Sequence, residues 1–450
     1  MRAAWFLGLT LIAGCGKQLN PQYCAANPTD PDCQTAGIVV DATPRCATDS
    51  DCPGAVCDVS SGGCVQCITS SQCQGNPNGA VCNSDDTCVG CETGSDCTSG
   101  VCLPDNTCAG DNDTILYAAP GGSGTTCTDS TQPCTLSNAV SKAGSGGQTV
   151  IELIGSGTFD EGTINLNVAG LQIVVKAGVI DTITGSKSGD PVLNVTASVS
   201  MSQITIDKSN GNGIDCSNNA TLVADQMVIS NSSNSGVDAN DCTLTLTRSK
   251  LFGNNEAAVT TSGGTNVISV LNNFMYDNGT PTSLENLGYT GGGAVSLSGK
   301  TSGQVRFNTI AFNVAADIPG LGKHDPPTYF AAAFACGDDV ADDFNLSDNL
   351  VVQDDPEPYD TREPCGTQSP TGANWVGSDA STVFFMSTDS GSMDLHLTTK
   401  TPNQQQGGVK AIRDNPDTNC VNVLDDYDGD ARPQNQACDY GADELTSTVQ

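Results

Sequence analysis

Ser202-Gln203-Ile204-Thr205-Ile206, Asp225-Gln226-Met227-Val228-Ile229, Ser249-Lys250-Leu251-Phe252-Gly253 and Asn272-Asn273-Phe274-Met275-Tyr276 read as four versions of one segment. Aligned on Ile204, Met227, Leu251 and Phe274, they recur at intervals of 23, 24 and 23 residues. A second series follows each of them: Gly213-Ile214-Asp215, Gly236-Val237-Asp238, Ala258-Val259-Thr260 and Ala294-Val295-Ser296. A third precedes them, at Leu222, Leu246, Ile268 and Val305. Three short strands in step, repeated once per turn, predict an all-β, single-stranded parallel β-helix with three sheets and rungs about 4.8 Å apart. Alternating apolar positions point inward and polar ones outward. An antiparallel sandwich also has regular turns, but it would not keep three strand types in phase over four cycles. Asn231, Asn254 or Asn255, Asn278 and Asn313 recur at one corner, where inward amides can stack in a hydrogen-bonded ladder.

Composition agrees with many strands and many turns. The 450 residues carry 51 acidic and 17 basic side chains, for a formal charge of −34, and only 8 of the acids are Glu. Asp competes for the backbone and favours turns, and 50 Gly with 5% aromatics argue against a helical protein. So anionic a chain lacks the Lys/Arg footprint that phosphate binding needs, which excludes nucleic acid as a partner. Divalent cations suit it better.

Met1 and Arg2 precede an apolar run, Ala3 to Ala13, that suits a secretory signal and is too short to span a bilayer. It ends in Ile12-Ala13-Gly14-Cys15, which resembles the lipobox of bacterial lipoproteins. The resemblance implies a signal peptide over 1–14, acylation of Cys15 as the only membrane attachment, and a tether over 15–45. Gly16, where Asp commonly marks inner-membrane retention, points to the outer membrane and a surface-exposed protein. Removing Cys15 from the 23 cysteines leaves an even set in an exported chain, as disulfides require.

Twelve of those cysteines form three quartets: Cys46, Cys52, Cys57, Cys64; Cys67, Cys73, Cys82, Cys88; and Cys91, Cys97, Cys102, Cys108. The quartets start 21 and 24 residues apart, an internal repeat over 46–108 with almost no apolar core. Cys64-x₂-Cys67 and Cys88-x₂-Cys91 also fit zinc-ribbon spacing, but the repeat continues past those four and the chain is exported, so disulfides are expected. Connectivity within 46–108 is not readable from spacing. Farther on, Cys127 with Cys134 can brace a loop, Cys216 with Cys242 can bridge neighbouring coils, and Cys336 with Cys365 can tie down an excursion; Cys420 and Cys438 complete the candidates.

The β-helix is expected over 113–445. Its opening, Ile115-Leu116-Tyr117 with a glycine turn and Leu136, Ala139, Val140 and Ala143 at helical spacing, resembles the first coil of pectate-lyase-like right-handed parallel β-helix proteins. The tail is similar to the ending of bacterial right-handed β-helix or choice-of-anchor surface proteins. It carries Asp394-Leu395-His396-Leu397, Pro402, Gly407-Gly408, then Asp426-Tyr427-Asp428-Gly429-Asp430-Ala431-Arg432-Pro433 and Asp439-Tyr440-Gly441-Ala442-Asp443-Glu444. Thr401 stands where that pattern has Ser. The resemblance implies a surface protein without a defined reaction.

Polygalacturonase-like enzymes of this fold carry a Gly-His-Gly together with an Arg-x-Lys, and that pair does not occur here: the two histidines, His324 and His396, are not flanked by glycine, which leaves Arg248-Ser249-Lys250 without a partner motif. The spacing grows to 36 between Phe274 and Ile310 and to 40 between Ile310 and Leu350. Two insertions, 279–293 and 316–329, thus leave one corner on adjacent rungs. Their Glu285, Tyr289, Asp317, Lys323, His324, Asp325 and Tyr329 make a candidate glycan groove, with the tyrosines stacking on sugar rings. Asp426, Asp428 and Asp430 alternate around Gly429 like the opening of a Ca²⁺ loop, without the downstream bidentate Glu of an EF-hand; a capping turn is the competing reading. The expectation is a monomeric, non-enzymatic surface lipoprotein for adhesion or contact with a polysaccharide or surface protein. A polysaccharide lyase or hydrolase using the paired insertions is the alternative.

Overall fold

The computed structural model describes residues 46–445 apart from 74–75, 77–78, 92, 104–105, 111, 145–147, 186, 281–292, 315–332, 338, 353–373, 378, 390, 404–410 and 435–436. The chain divides after Val89 into two compact units.

The first unit holds two cysteine quartets with one connectivity, first to third and second to fourth: Cys46–Cys57 with Cys52–Cys64, and Cys67–Cys82 with Cys73–Cys88. Each pair of bridges closes on a two-stranded antiparallel ribbon, Val56–Asp58 with Gly63–Val65 and Val81–Cys82 with Cys88–Val89. The buried residues are largely the cysteines themselves. So small a core cannot hold a fold, and bridges at about 2–4 kcal/mol each replace it. The third quartet, in the second unit, repeats the pattern with Cys91–Cys102 and Cys97–Cys108. There Val101, Leu103 and Ala109 pack on Val150 and Val174 of the sheet.

The rest of the second unit is a parallel β-helix. One face is a sheet of nine parallel strands, a strand per coil, from Gly157–Asp160 to Trp375–Gly377. Its inward file runs Phe159, Ile183, Ile206, Ile229, Leu251, Met275, Ile310 and Val351, each in register with the next and fully buried. The other two faces are joined, because Ile214–Asp225 and Val237–Thr247 run through the corner between them. Three expected sheets therefore appear as two hydrogen-bonded ones. Leu136–Lys142 forms the short helix of the first coil, capped by Thr135.

The period stands, but the register of the first series shifts, by two residues at Ile204 and Met227 and by one at Phe274. Leu251 pairs with Ile229 and Met275, whereas Phe274 pairs with Lys250 and faces outward. Leu246 likewise pairs with Ala224, and Leu222 with Leu244. The cause is polar inward residues. Gln203, Gln226, Arg248, Asn272, Phe307 and Asp348 all have positive φ at the same corner. The residue after each turns inward, and from the third coil it is Ser249, Asn273, Asn308 or Asn349 rather than an aliphatic.

Those asparagines form a ladder of buried amides. Asn273 donates from Nδ2 to Asn308 Oδ1 at 2.9 Å, Asn308 to Asn349 at 2.9 Å, and Asn349 to Asn374 at 2.9 Å. A second ladder, Asn254 to Asn278 to Asn313, lines the opposite end of the same strands at 2.8 and 2.9 Å. Asn231 is not part of it; it has positive φ and its amide bonds Asp207 at 2.7 Å.

Cys127–Cys134, Cys216–Cys242 and Cys420–Cys438 are disulfides. Cys336 is disulfide-bonded as well, and Cys365 lies outside the described residues. After the last coil the chain folds back over the outward face of the nine-stranded sheet. There Phe274, Tyr276, Leu350 and Trp375 pack against Phe385, Leu395, Leu397, Ile412 and Tyr440. Outward apolar side chains, which would be a liability on a bare sheet, thus become a second core.

Candidate functional site

The C-terminal segment leaves one opening in that second core. Lys250, Phe274, Tyr276, Ser392, Met393, Asp394, Leu395, His396 and Tyr427 surround a pocket of about 330 Å³. Its floor follows from the register: Lys250 faces outward beside Leu251, and Phe274 and Tyr276 flank Met275 one rung later, with Phe252 stacked on Tyr276 at the pocket's edge. The Phe252 and Tyr276 rings lie with centroids 5.0 Å apart and planes 5° from parallel. The Lys250 ammonium sits 5.5 and 5.2 Å from the two ring centroids and donates to the Met393 carbonyl at 3.2 Å. Burial lowers its pKa, and the charge of Asp394 opposes that. Burial also holds the Tyr276 phenol well above its ordinary value.

His396 forms the other wall. Its Nδ1 meets the Asp394 carboxylate and its Nε2 lies 3.2 Å from Asp428 Oδ2. Burial pulls the imidazole down, but the carboxylates of Asp428 and Asp394 on either side outweigh it and raise it to about 9. Asp394 and Asp428 are thereby engaged with His396.

A second cluster lies on another face. Asp215 and Asp238 occupy one outward file on adjacent rungs, continued by Thr260 and Ser296. Asn212 donates to Asp215 at 2.7 Å, and Thr260 and Ser262 donate to Asp238, both at 3.1 Å. Glu256 accepts from Ser235 at 3.3 Å. Burial lifts Asp215 to about 6 and the Asp238 charge adds to it; burial also raises Asp238 and Glu256. In-register carboxylates one rung apart are separated by about 5 Å, within the range retaining glycosidases use. An acid whose folded pKa exceeds its unfolded value opposes folding once ionised, and below about pH 3 it is protonated in both states. Asp215→Asn is therefore expected to raise the urea midpoint at pH 8 and to leave it unchanged at about pH 3.

The residues expected to form a glycan groove, Glu285, Tyr289, Asp317, Lys323, His324, Asp325 and Tyr329, lie outside the described residues, as does Cys15. The described flanks place the roots of the two insertions together. Val314 N–H donates to the Asn278 carbonyl at 2.8 Å, and the chain re-enters the coil just ahead of Val295–Leu297 and Phe334–Cys336, in-register partners. Those strands extend the Asp215–Asp238 face. Asp426, Asp428 and Asp430 do not converge. Asp426 Oδ1 accepts the N–H groups of Asp428 and Asp430 at 2.9 and 2.8 Å, and Oδ2 accepts that of Glu444 at 2.9 Å. Its carboxylate closes a turn against the coil. The Lys250 pocket is not legible in sequence, because Lys250 and Met393 are 143 residues apart.

No family model matches the sequence, and no curated protein matches it. Among solved structures, the crystal structure of pectate lyase Pel9A is similar at a TM-score of 0.32 and 12% identity, covering 75% of this chain and 97% of that one. The parallel β-helix itself rests on the strand register described above.

Proposed function

We propose that this chain is a lipid-anchored outer-membrane protein whose β-helix binds acidic polysaccharide without cleaving it. The observation that carries this reading is the Lys250 pocket: a half-buried ammonium beside a parallel aromatic pair, where a uronate ring can stack while its carboxylate meets the cation. That cation belongs to a chain with only 17 basic side chains and a net charge of −34. The carboxylates at this pocket, Asp394 and Asp428, are held by His396, which favours binding over acid–base turnover. The Ile12-Ala13-Gly14-Cys15 sequence and the disulfide-stapled quartets support export and anchoring.

A second reading has its own observation. Asp215 and Asp238, neighbours on one file with raised pKa values, suit a glycoside hydrolase whose general acid stays protonated near neutral pH. Affinity electrophoresis in gels containing polygalacturonate or alginate separates the two. Binding is expected for the wild type, weakened about tenfold in Lys250→Ala and Phe252→Ala, a loss of about 1.4 kcal/mol, with no new reducing or unsaturated ends. Product formation abolished by Asp215→Asn would establish the hydrolase, and unaltered binding in both pocket variants would reject the pocket.

A further inference from the structure

We infer that His396, Asp428 and Asp443 form a binding site for a divalent transition metal, zinc foremost. One ligand atom from each lies within 4.8 Å of the others; among the described residues the remaining sets of this kind are cysteines already joined in disulfides. The three residues come from separate parts of the C-terminal segment, brought together where it folds back on the sheet. The site shares His396 with the wall of the Lys250 pocket, but its test reads metal rather than glycan.

Three features favour a metal over a simple charged contact. His396 Nε2 is buried and meets Asp428 Oδ2, 3.2 Å away, as an ion pair without a well-directed hydrogen bond. Two ligands of one tetrahedral zinc, each at about 2.0–2.2 Å, stand about 3.3–3.5 Å apart, so that separation is close to what a shared ion needs. The other ring nitrogen faces the Asp394 carboxylate, the arrangement that orients a metal-binding imidazole and makes it more basic. Asp443 is anchored by the Leu397 N–H at 2.6 Å, as ligating carboxylates commonly are by a second group.

Charge points the same way. Asp426, Asp439, Asp443 and Glu444 are all buried in this segment, with Arg432 as the buried base among them. A divalent ion would offset that excess. The nitrogen ligand selects against Ca²⁺ and Mg²⁺, which take oxygen donors, and favours zinc or a neighbouring first-row ion. Three protein ligands leave a fourth position for water.

The chain has only two histidines, His324 and His396, which makes the test clean. Purified full-length protein, stripped with chelator and oxidised, is titrated with Zn²⁺ by calorimetry and its metal content measured after dialysis. One equivalent is expected, retained in His324→Ala and weakened at least tenfold in His396→Ala and Asp443→Asn. Because the variants could lose their fold, the wild type is also titrated with Co²⁺ and followed by proton NMR. A paramagnetic shift of the His396 imidazole signals, with those of His324 unmoved, supports the site. No zinc uptake at micromolar ion, uptake unaffected by His396→Ala, or binding of Ca²⁺ in place of Zn²⁺ would each overturn it.

Discussion

Asn308→Ala is expected to destabilise the β-helix by about 3–5 kcal/mol, read as a lower urea midpoint with an unchanged slope. The size follows from how many groups the amide serves. Its Oδ1 accepts both the backbone N–H and the Nδ2 of Asn273, at 3.0 and 2.9 Å. Its Nδ2 donates to the carbonyls of Val270 and Arg306 and to Asn349 Oδ1, each at 2.9 Å. All sit in a file with no access to water, so truncation strands the backbone N–H of Asn273 and removes a donor from three acceptors, while the Asn273 Nδ2 keeps the carbonyls of Leu246 and Leu271. Each buried orphan costs about 1–3 kcal/mol, and partial relaxation keeps the total below the simple sum. Asn194 offers the control. Its Nδ2 also bonds an in-register asparagine, Asn165 at 2.8 Å, but on the exposed outer face. Asn194→Ala should cost less than about 1 kcal/mol, since water replaces the lost partner. Equal losses at the two positions would mean that the inner amides do not form the ladder described.

Arg432→Ala should be comparably severe, but local. The guanidinium, fully buried, pairs with Glu444 Oε2 at 3.0 Å and donates to the carbonyls of Asp425, Asp439 and Gly441. It also stacks on Phe307, 4.7 Å from the centroid. Its removal leaves a buried carboxylate without a counter-charge, a loss of about 3–5 kcal/mol. The C-terminal segment is then expected to detach and expose Phe274, Tyr276 and Trp375, with bound ANS fluorescence as the readout, while the coils stay folded. Burial raises both Asp439 and Glu444, and their mutual repulsion adds to it for Asp439. Acids with folded pKa values above the unfolded ones favour the folded state when protonated, so the defect should be milder at pH 5 than at pH 8. Adding Glu444→Gln should recover part of the stability at pH 8, because the amide oxygen can still accept the Asp439 N–H that Glu444 Oε2 holds at 2.8 Å.

The period of the coil is legible in sequence because aliphatic residues at fixed spacing have one physical use, an inward file. Register is less legible where the inward residue is polar. Asn273 and Ser249 look like turn residues, and only the ladder shows that they face the core, which pairs Leu251 with Ile229 rather than Met227. The ladder through Asn273, Asn308, Asn349 and Asn374 had a signal, an asparagine directly ahead of each short strand. The interruptions after Asn278 and Asn313 were legible as spacing. What sequence could not supply was the return of the chain over its own outer face. Phe274, Tyr276 and Trp375 look misplaced on an exposed sheet, and their partners lie after the last coil. Thus Asp394-Leu395-His396-Leu397 was visible as a motif, while the meeting of His396 with Lys250 and Asp443 was not.

The central claim, coils stacked in parallel register, is tested most directly by a distance along one outward file. Gln172, Ser200, Val223, Thr245 and Ser269 succeed one another rung by rung. Spin labels attached through non-natural keto side chains at 172 and 269 should give a pulsed-EPR distribution centred near 19 Å, four rungs of about 4.8 Å. A centre beyond about 30 Å, or one that fails to shorten by two rungs when the second label moves to 223, would contradict the stacked coil.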